Sequence, residues 1–304
     1  KLTTISNSAF EYCSNLKSIR ILSSVESIGE KAFYECINLE IVLFENESKL
    51  TTINNSAFMK CSNLKSIQIP SSVKSIGEKA FYECKNLESV LFENESKLTT
   101  INNSAFEYCS NLKSIRILSS VESIGENAFS NCSNLISVSF ENESKLTNIG
   151  SSGFARCFNL TSIKLPSQLE NISSGLFEEC SKLKSIIILS DVSKIGNYSF
   201  LNCSNLEWLQ FLGTKEPSIS QNAFQGCKKL KNVNVKSTYP SKTFGTFEAR
   251  KLTNRVKIAC IVISGSIIII IICIILLFAV LRRKKYSIEE EKTAYRKSTT
   301  KSDV

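Results

Sequence analysis

Cysteine is the residue type with the greatest chemical potential in this sequence. The chain has 304 residues and 12 cysteines, and ten of them recur at one position of a repeated pattern. These are Cys13, Cys36, Cys61, Cys84, Cys109, Cys132, Cys157, Cys180, Cys203 and Cys227. The chain has no histidine, which excludes Ser-His-Asp and Cys-His catalysis and histidine-based zinc sites. Chemistry based on Lys, Glu or Asp is not excluded, but no pattern indicates it, so we predict a non-enzyme without cofactor or metal.

A repeat of 48 residues positions these cysteines. The unit at 16–63 returns almost unchanged at 64–111 and, with more differences, at 112–159, and each unit has halves of 23 and 25 residues. A period in the twenties is typical of a solenoid, whose coils bury their apolar faces only against neighbouring coils. About ten coils are therefore predicted over residues 1–235. Their strands are expected to begin at Leu16, Leu39, Leu64, Leu87, Leu112, Leu135, Leu160, Leu183, Leu206 and Leu230.

Two segments of each coil predict local structure. Leu-x-x-Ile-x-Ile alternates as a half-buried strand does, and stacked copies form a parallel sheet. The following Ile-Gly-x-x-Ala-Phe-x-x-Cys predicts one short helical or 3₁₀ turn. Its glycines, Gly29, Gly77, Gly125 and Gly196, are expected to have positive φ. Its phenylalanines are expected to stack as a spine: Phe10, Phe33, Phe58, Phe81, Phe106, Phe129, Phe154, Phe177, Phe200 and Phe224.

The repeated cysteines are expected to be free, buried thiols. An even number of cysteines is typical of a disulfide framework. Equivalent residues of stacked coils, however, keep parallel Cα–Cβ directions and lie about 5 Å apart. A disulfide needs Cβ atoms about 3.8 Å apart, so packing as small apolar groups is favoured.

The repeat resembles the BspA-like leucine-rich repeats, known from bacterial and protozoan surface proteins and numerous in trichomonad parasites. Residues 64–87, LKSIQIPSSVKSIGEKAFYECKNL, and their sister coils carry the likeness, which covers about residues 1–235. The resemblance implies a right-handed leucine-rich-repeat solenoid with a parallel concave sheet. It also implies exposure on a cell surface and a role in adhesion or recognition. The 25-residue coils depart from the plain 23-residue family repeat, which leaves the curvature open.

The longer coils carry a recurring glycosylation motif. Phe-Glu-Asn-Glu-Ser follows the strand at 44–48, 92–96 and 140–144, and each copy holds an Asn-x-Ser sequon, at Asn46, Asn94 and Asn142. These copies are expected to form a ridge along every second coil. If that side is extracellular, the three asparagines are the candidate N-glycan acceptors. Sequons also arise by chance in a chain rich in Asn and Ser.

The basic excess flanks an apolar segment. Residues 1–235 hold 23 Lys/Arg and 23 Asp/Glu, whereas 236–257 hold six bases against one acid and 282–304 eight against four. Residues 258–281 form an uncharged stretch of 24 residues, about 36 Å as a helix and enough to cross a bilayer. The charge distribution therefore predicts membrane contact and no nucleic-acid partner. We expect 236–257 to be a cap and linker, and 258–281 a transmembrane helix.

The basic run at 282–285 predicts a cytoplasmic tail at 282–304. Localisation is therefore expected at the plasma membrane, in a single pass, with the repeats extracellular. The last three residues, Ser302, Asp303 and Val304, fit a PDZ-type C-terminal ligand by pattern alone.

One outward column of the predicted sheet points to a binding face. It is mostly serine, but Trp208, the only tryptophan, interrupts it. Because exposed Trp and Arg are typical interface anchors, we predict a partner site around Trp208 with Ile187 and Gln210. The sparse basic residues of the face, Arg20, Arg116 and Lys164, are added to this candidate site. Two alternatives stay open: the face is solvated and self-neutralising, or Trp208 packs under the terminal cap.

The leading interpretation is a cell-surface leucine-rich-repeat protein that binds proteins or host-cell or matrix surfaces as a rigid scaffold. A structural or antigenic coat protein is the second. In the third, the last helix is a tail anchor and the solenoid faces the cytosol, where free thiols are common.

Overall fold

The computed structural model describes residues 2–252, and its strands fall into two families. The longer strands form the long-strand face: β2 (Ser18–Ile21), β4 (Ile41–Phe44), β6 (Ser66–Ile69), β8 (Ser89–Phe92), β10 (Ser114–Ile117), β12 (Ser137–Phe140), β14 (Ser162–Lys164), β16 (Ser185–Ile188), β18 (Trp208–Phe211) and β20 (Asn232–Val235). Each begins two residues after a leucine at which the sequence predicts a strand, so the ten predicted strands are confirmed.

The second family consists of two-residue strands, one in each coil. They are β1 (Thr4–Ile5), β3 (Ser27–Ile28), β5 (Thr52–Ile53), β7 (Ser75–Ile76), β9 (Thr100–Ile101), β11 (Ser123–Ile124), β13 (Asn148–Ile149), β15 (Asn171–Ile172), β17 (Lys194–Ile195) and β19 (Ser218–Ile219). The first seven pair in one parallel sheet, in coil order, and the last three pair in another. The described chain is thus a parallel β-solenoid of leucine-rich-repeat type.

The long-strand face is not the continuous sheet that the sequence predicts. It divides into β2–β4, β6–β8–β10–β12 and a sheet that begins at β14. Both gaps follow a coil of 25 residues, and after the third such coil β8 pairs with β10 at one residue only, Ser89 with Ser114. The two extra residues lengthen the connection after the strand. The next strand is consequently offset, and most of the ladder hydrogen bonds are lost.

A hairpin extends the last sheet beyond the regular coils. Strand β21 (Thr243–Phe244) pairs antiparallel with β22 (Phe247–Lys251), and β22 pairs in parallel with β20. Below it, the ring of Phe211 lies 5.8 Å from that of Tyr239 and 5.2 Å from that of Phe244. The hairpin therefore covers the apolar end of the core.

The predicted helical or 3₁₀ turn is wrong, because residues 2–252 contain no helix. In the segment after β3, the Ala32 N–H donates to the Gly29 carbonyl at 3.3 Å, whereas the Phe33 N–H donates to the Ala57 carbonyl of the next coil at 2.7 Å. Lys31 has φ 54°. A left-handed residue within the segment interrupts any helix, so it is a run of tight turns hydrogen-bonded to the next coil.

The prediction of positive φ at four glycines is also wrong. Positive φ falls two residues later, at Lys31, Lys79, Asn127 and Tyr198. The glycines serve close approach instead: a Cβ added to Gly77 would lie 2.6 Å from the backbone carbon of Asn54. Neighbouring coils are therefore in backbone contact at this position.

The predicted phenylalanine spine is confirmed. The ten rings stack in order with centroids 5.0 to 5.9 Å apart and interplanar angles of at most 18°. Rings 33 to 200 are fully buried, and β-strand leucines and isoleucines surround them. Burial of a phenylalanine side chain contributes about 1.5–3 kcal/mol, which makes this stack a principal source of stability.

The repeated cysteines are free thiols, as predicted, and all but Cys13 are buried. Each buried sulfur donates to the carbonyl of the phenylalanine in the preceding coil, at 3.0 to 3.3 Å. Burial raises the pKa of Cys36 to about 11 and places that of Cys109 well above its usual value. The buried sulfurs are therefore held in the protonated form, which is a weak nucleophile.

Thiol labelling tests this arrangement. We expect iodoacetamide to modify Cys13 in the folded protein and to leave Cys84 and Cys109 unmodified, because burial excludes the reagent and suppresses the thiolate. Peptide mass spectrometry before and after unfolding in urea measures each site. Modification of Cys84 at the rate of Cys13 under native conditions would contradict the structure.

Candidate functional site on the long-strand face

Strand pairing brings three predicted site residues together. Trp208 and Gln210 lie on β18, and Gln210 is in register with Ile187 of β16. Lys164 of β14 is in register with Ile187 on its other side. Arg20 on β2 and Arg116 on β10 lie in other sheets, so the face does not join them to Trp208.

Trp208 is solvent-accessible, with an exposed fraction of 36%. The inward neighbours on its strand, Leu209 and Phe211, are buried, and Phe211 forms the aromatic contacts under the hairpin. Trp208 lies on the opposite side of the strand. This position disfavours the alternative in which Trp208 packs under the cap.

Gln210 differs from its predicted role as an exposed contact residue. It is 4% exposed, and its register partner Asn234 on β20 is 8% exposed. The Gln210 Oε1 atom has no hydrogen-bond partner within residues 2–252. An amide buried in this way is unfavourable unless a donor reaches it. The sequence contains no signal for this burial beyond the amide at each position.

The two arginines are engaged by the ridge of the long coils. Arg20 lies 3.0 Å from a carboxylate oxygen of Glu45, and Arg116 lies 3.2 Å from one of Glu141. The other Glu45 oxygen accepts the Ser23 N–H at 2.9 Å. This backbone hydrogen bond, with Arg20 as a smaller contribution, lowers the pKa of Glu45. Both arginines are thus locally neutralised. Within residues 2–252, Lys164 forms no ion pair.

Neighbouring strands also neutralise each other, as the bland alternative predicts. Lys113 lies 2.8 Å from Glu88, and Lys65 lies 3.8 Å from Glu40. Exposed pairs of this kind contribute about 0–1 kcal/mol each. The first coils therefore present a solvated face with little net charge, and no cluster of side chains suited to hold a metal occurs in the described part of the chain.

The three ridge sequons are accessible. Asn46, Asn94 and Asn142 are exposed, each in a turn whose next residue has φ 56°. By contrast, the Nδ2 atom of Asn159, another sequon, donates to Asn134 Oδ1 at 3.0 Å. A glycan on Asn159 would replace that hydrogen bond, so the ridge residues are the better acceptors.

A column of asparagine amides is a feature that sequence reasoning missed. Nδ2 of each residue donates to Oδ1 of the one before at 3.0 to 3.2 Å, through Asn38, Asn63, Asn86, Asn111, Asn134 and Asn159. The available signal was an Asn directly before the leucine of each coil. The column ties successive coils together along one edge.

Known proteins share this architecture. The crystal structure of the pneumococcal vaccine antigen PcpA is similar, with 21% identity and a TM-score of 0.52 over 79% of this chain and 76% of that one. A leucine-rich repeat protein of Bacteroides ovatus matches with 23% identity and a TM-score of 0.47, over 83% of this chain and 88% of its own. The T. pallidum leucine-rich repeat protein matches with 25% identity and a TM-score of 0.48, over 70% and 83%.

A comparison with curated proteins found no match. The sequence profile of the BspA type leucine-rich repeat region matches in six copies, over residues 1–109, 99–231 and 211–267. Together these ranges cover most of the chain and all ten coils. The expectation drawn from the repeat pattern is confirmed: this chain belongs to the BspA-type leucine-rich-repeat family.

Proposed function

We propose that this chain is a single-pass plasma-membrane protein whose repeat region, outside the cell, recognises proteins or a host-cell or matrix surface. The observation that carries the proposal is Trp208, which is 36% exposed in a column where most coils have serine. An accessible aromatic on a rigid sheet is a typical binding anchor. The face acts by contact and without chemistry, and stacked coils keep it rigid.

Binding by the isolated variant tests this role. We expect Trp208→Ala in the full chain to lose most of its saturable binding to host cells or matrix proteins. Tyr108→Ala removes an aromatic of similar exposure, 37%, from another coil and is the matched control. Unchanged binding by a folded Trp208→Ala variant would overturn the proposed site. A complete lack of saturable binding by the native chain would favour the structural or antigenic coat role.

The membrane topology is part of the proposal. The structure contains no helix able to cross a bilayer within residues 2–252, and the predicted span at 258–281 lies outside them, as does the tail at 282–304 with its PDZ-type residues Ser302, Asp303 and Val304. The uncharged 24-residue stretch and the basic run after it support the proposed span and orientation.

A second topology is favoured by one observation. Nine buried cysteines without a disulfide fit a reducing compartment, so a tail-anchored scaffold facing the cytosol is the alternative. Surface biotinylation of intact cells decides between the two. Labelling of lysines in the repeats supports an extracellular solenoid, whereas labelling confined to 282–304 supports the cytosolic one.

Glycosylation gives an independent prediction. If the repeats are extracellular, replacing Asn46, Asn94 and Asn142 together by Gln removes the gel-mobility shift that a glycosidase produces in the native chain. Asn159→Gln is the control and is expected to change nothing, because that amide already bonds Asn134. A glycosidase-sensitive shift that survives in the triple variant would show that other sequons are used.

A further inference from the structure

Six outward positions around Trp208 carry no charge. They lie on β16, β18 and β20, and strand register places them side by side. We call them the uncharged patch: Ser185, Ile187, Trp208, Gln210, Asn232 and Asn234. In the earlier coils the equivalent positions include arginines paired with ridge carboxylates. The coils around Trp208 lack that ridge, so both the charges and their partners are absent from the patch.

The patch is bordered by charges that balance one another. In the adjacent column Lys184, Glu207 and Lys231 alternate in sign, and Glu207 lies 3.3 Å from Lys229. A charged ligand therefore finds no net countercharge within the patch. The groups it offers are amides, a hydroxyl and two apolar surfaces.

The amides of the patch are prepared for hydrogen bonding. Gln210 and Asn234 are in register on adjacent strands, with exposed fractions of 4% and 8%. The Gln210 Oε1 atom lacks a donor within residues 2–252. A side-chain amide both donates and accepts, as a hydroxyl does. Because the two side chains are held by burial, a hydroxyl-bearing ligand binds without first ordering them.

Trp208 supplies the complementary apolar surface. Its indole has an apolar body and one N–H donor and is accessible beside the amides. A saccharide ring presents C–H groups on its faces and hydroxyls around its rim. An aromatic surface next to fixed amides matches both parts of such a ring, whereas an acidic or basic peptide would leave its charge unpaired.

We propose that the uncharged patch binds a neutral saccharide, with Trp208 against the sugar ring and Gln210 and Asn234 bonded to its hydroxyls. The inference rests on the proposed recognition function and names the chemistry that the partner surface presents. It assigns specificity to the coils of β16, β18 and β20 and none to the earlier, charge-paired coils.

The chain contains a built-in reporter, because Trp208 is its only tryptophan. The full chain, in a detergent without a sugar headgroup, is titrated with cellobiose, lactose, maltose and diacetylchitobiose while tryptophan emission is recorded. We expect a saturable change in emission with at least one of these neutral disaccharides. An acidic peptide is titrated in parallel and is expected to give none.

Matched variants separate a site from a surface effect. Gln210→Met removes the amide with little change in size, and we expect the dissociation constant to rise about fivefold to tenfold. Gln68→Met makes the same change on β6, where Gln68 is exposed and bonds Glu93 at 3.2 Å, and is expected to leave it unchanged. Equal weakening by both variants would show a non-specific effect and overturn the assignment.

The outcomes distinguish this inference from the function it rests on. If no disaccharide changes the emission while cell or matrix binding still depends on Trp208, the saccharide assignment is wrong and the recognition role stands. A saturable response to the acidic peptide alone also overturns it. If saccharide binds but cells and matrix do not, the site is retained and the proposed cellular role fails.

Discussion

Phe106→Ala is expected to lower the free energy of unfolding by about 3–5 kcal/mol. The ring is fully buried and stacks on Phe81 at 5.2 Å and Phe129 at 5.4 Å. Its removal leaves a cavity in the middle of the spine, and the flanking rings are fixed by their own neighbours and cannot close it. Urea unfolding followed by circular dichroism measures the loss.

Phe158→Ala is the matched control for that variant. Phe158 belongs to the same repeat region but is 40% exposed, so its removal should change the free energy of unfolding by no more than about 0.5 kcal/mol. Should Phe106→Ala cost less than about 1 kcal/mol, the rings could not be stacked in the core as described.

Gly77→Ala is the second substitution with a large expected effect, about 2–4 kcal/mol. The added methyl group would lie 2.6 Å from the backbone carbon of Asn54 and 2.7 Å from the nitrogen of Asn55. Backbone atoms cannot rotate away, so the two coils must separate. That movement strains the hydrogen bond from the Gly77 N–H to the Ile53 carbonyl, now 2.8 Å.

Gly245→Ala separates close approach from backbone strain. Gly245 has φ 60°, but the nearest atom to an added Cβ is Ile219 Cδ1 at 3.3 Å. Alanine there costs about 1–2 kcal/mol for the left-handed conformation alone. Thermal unfolding of both variants makes the comparison, and a smaller effect for Gly77→Ala than for Gly245→Ala would refute the backbone contact between coils.

The sequence predicts the repeat architecture well because periodicity fixes burial. Leucine and isoleucine recur at strand spacing, so the strand starts, the phenylalanine stack and the unpaired thiols could be read from one coil and carried to the others. Nearly every coil confirms the reading. These features depend only on which residues face inward.

Features that depend on backbone geometry could not be predicted. Lys31 and Glu35 have φ 54° and 55°, although neither residue type favours that conformation. Hydrogen bonds to the next coil impose it, so local sequence carries no sign of it. The glycine of the segment suggested positive φ, but neighbour contact explains that glycine instead.

The candidate site was predicted in position but not in detail. Sequence alternation placed Trp208, Gln210 and Ile187 on one face, as the register confirms. The burial of Gln210 depends on neighbours from other coils, and the pairing of Arg20 with Glu45 depends on how the two extra residues fold. Neither could be read from a single strand.

The interruptions of the long-strand face coincide with the boundaries of the 48-residue repeat. The paired strands β2–β4, β6–β8 and β10–β12 each belong to one repeat, whereas the missing or single-residue pairings lie between repeats. A duplication or deletion of one repeat therefore joins ends that carry few backbone hydrogen bonds. Recombination between copies can lengthen or shorten the array at small energetic cost, while the terminal coils that hold Trp208 stay unaltered.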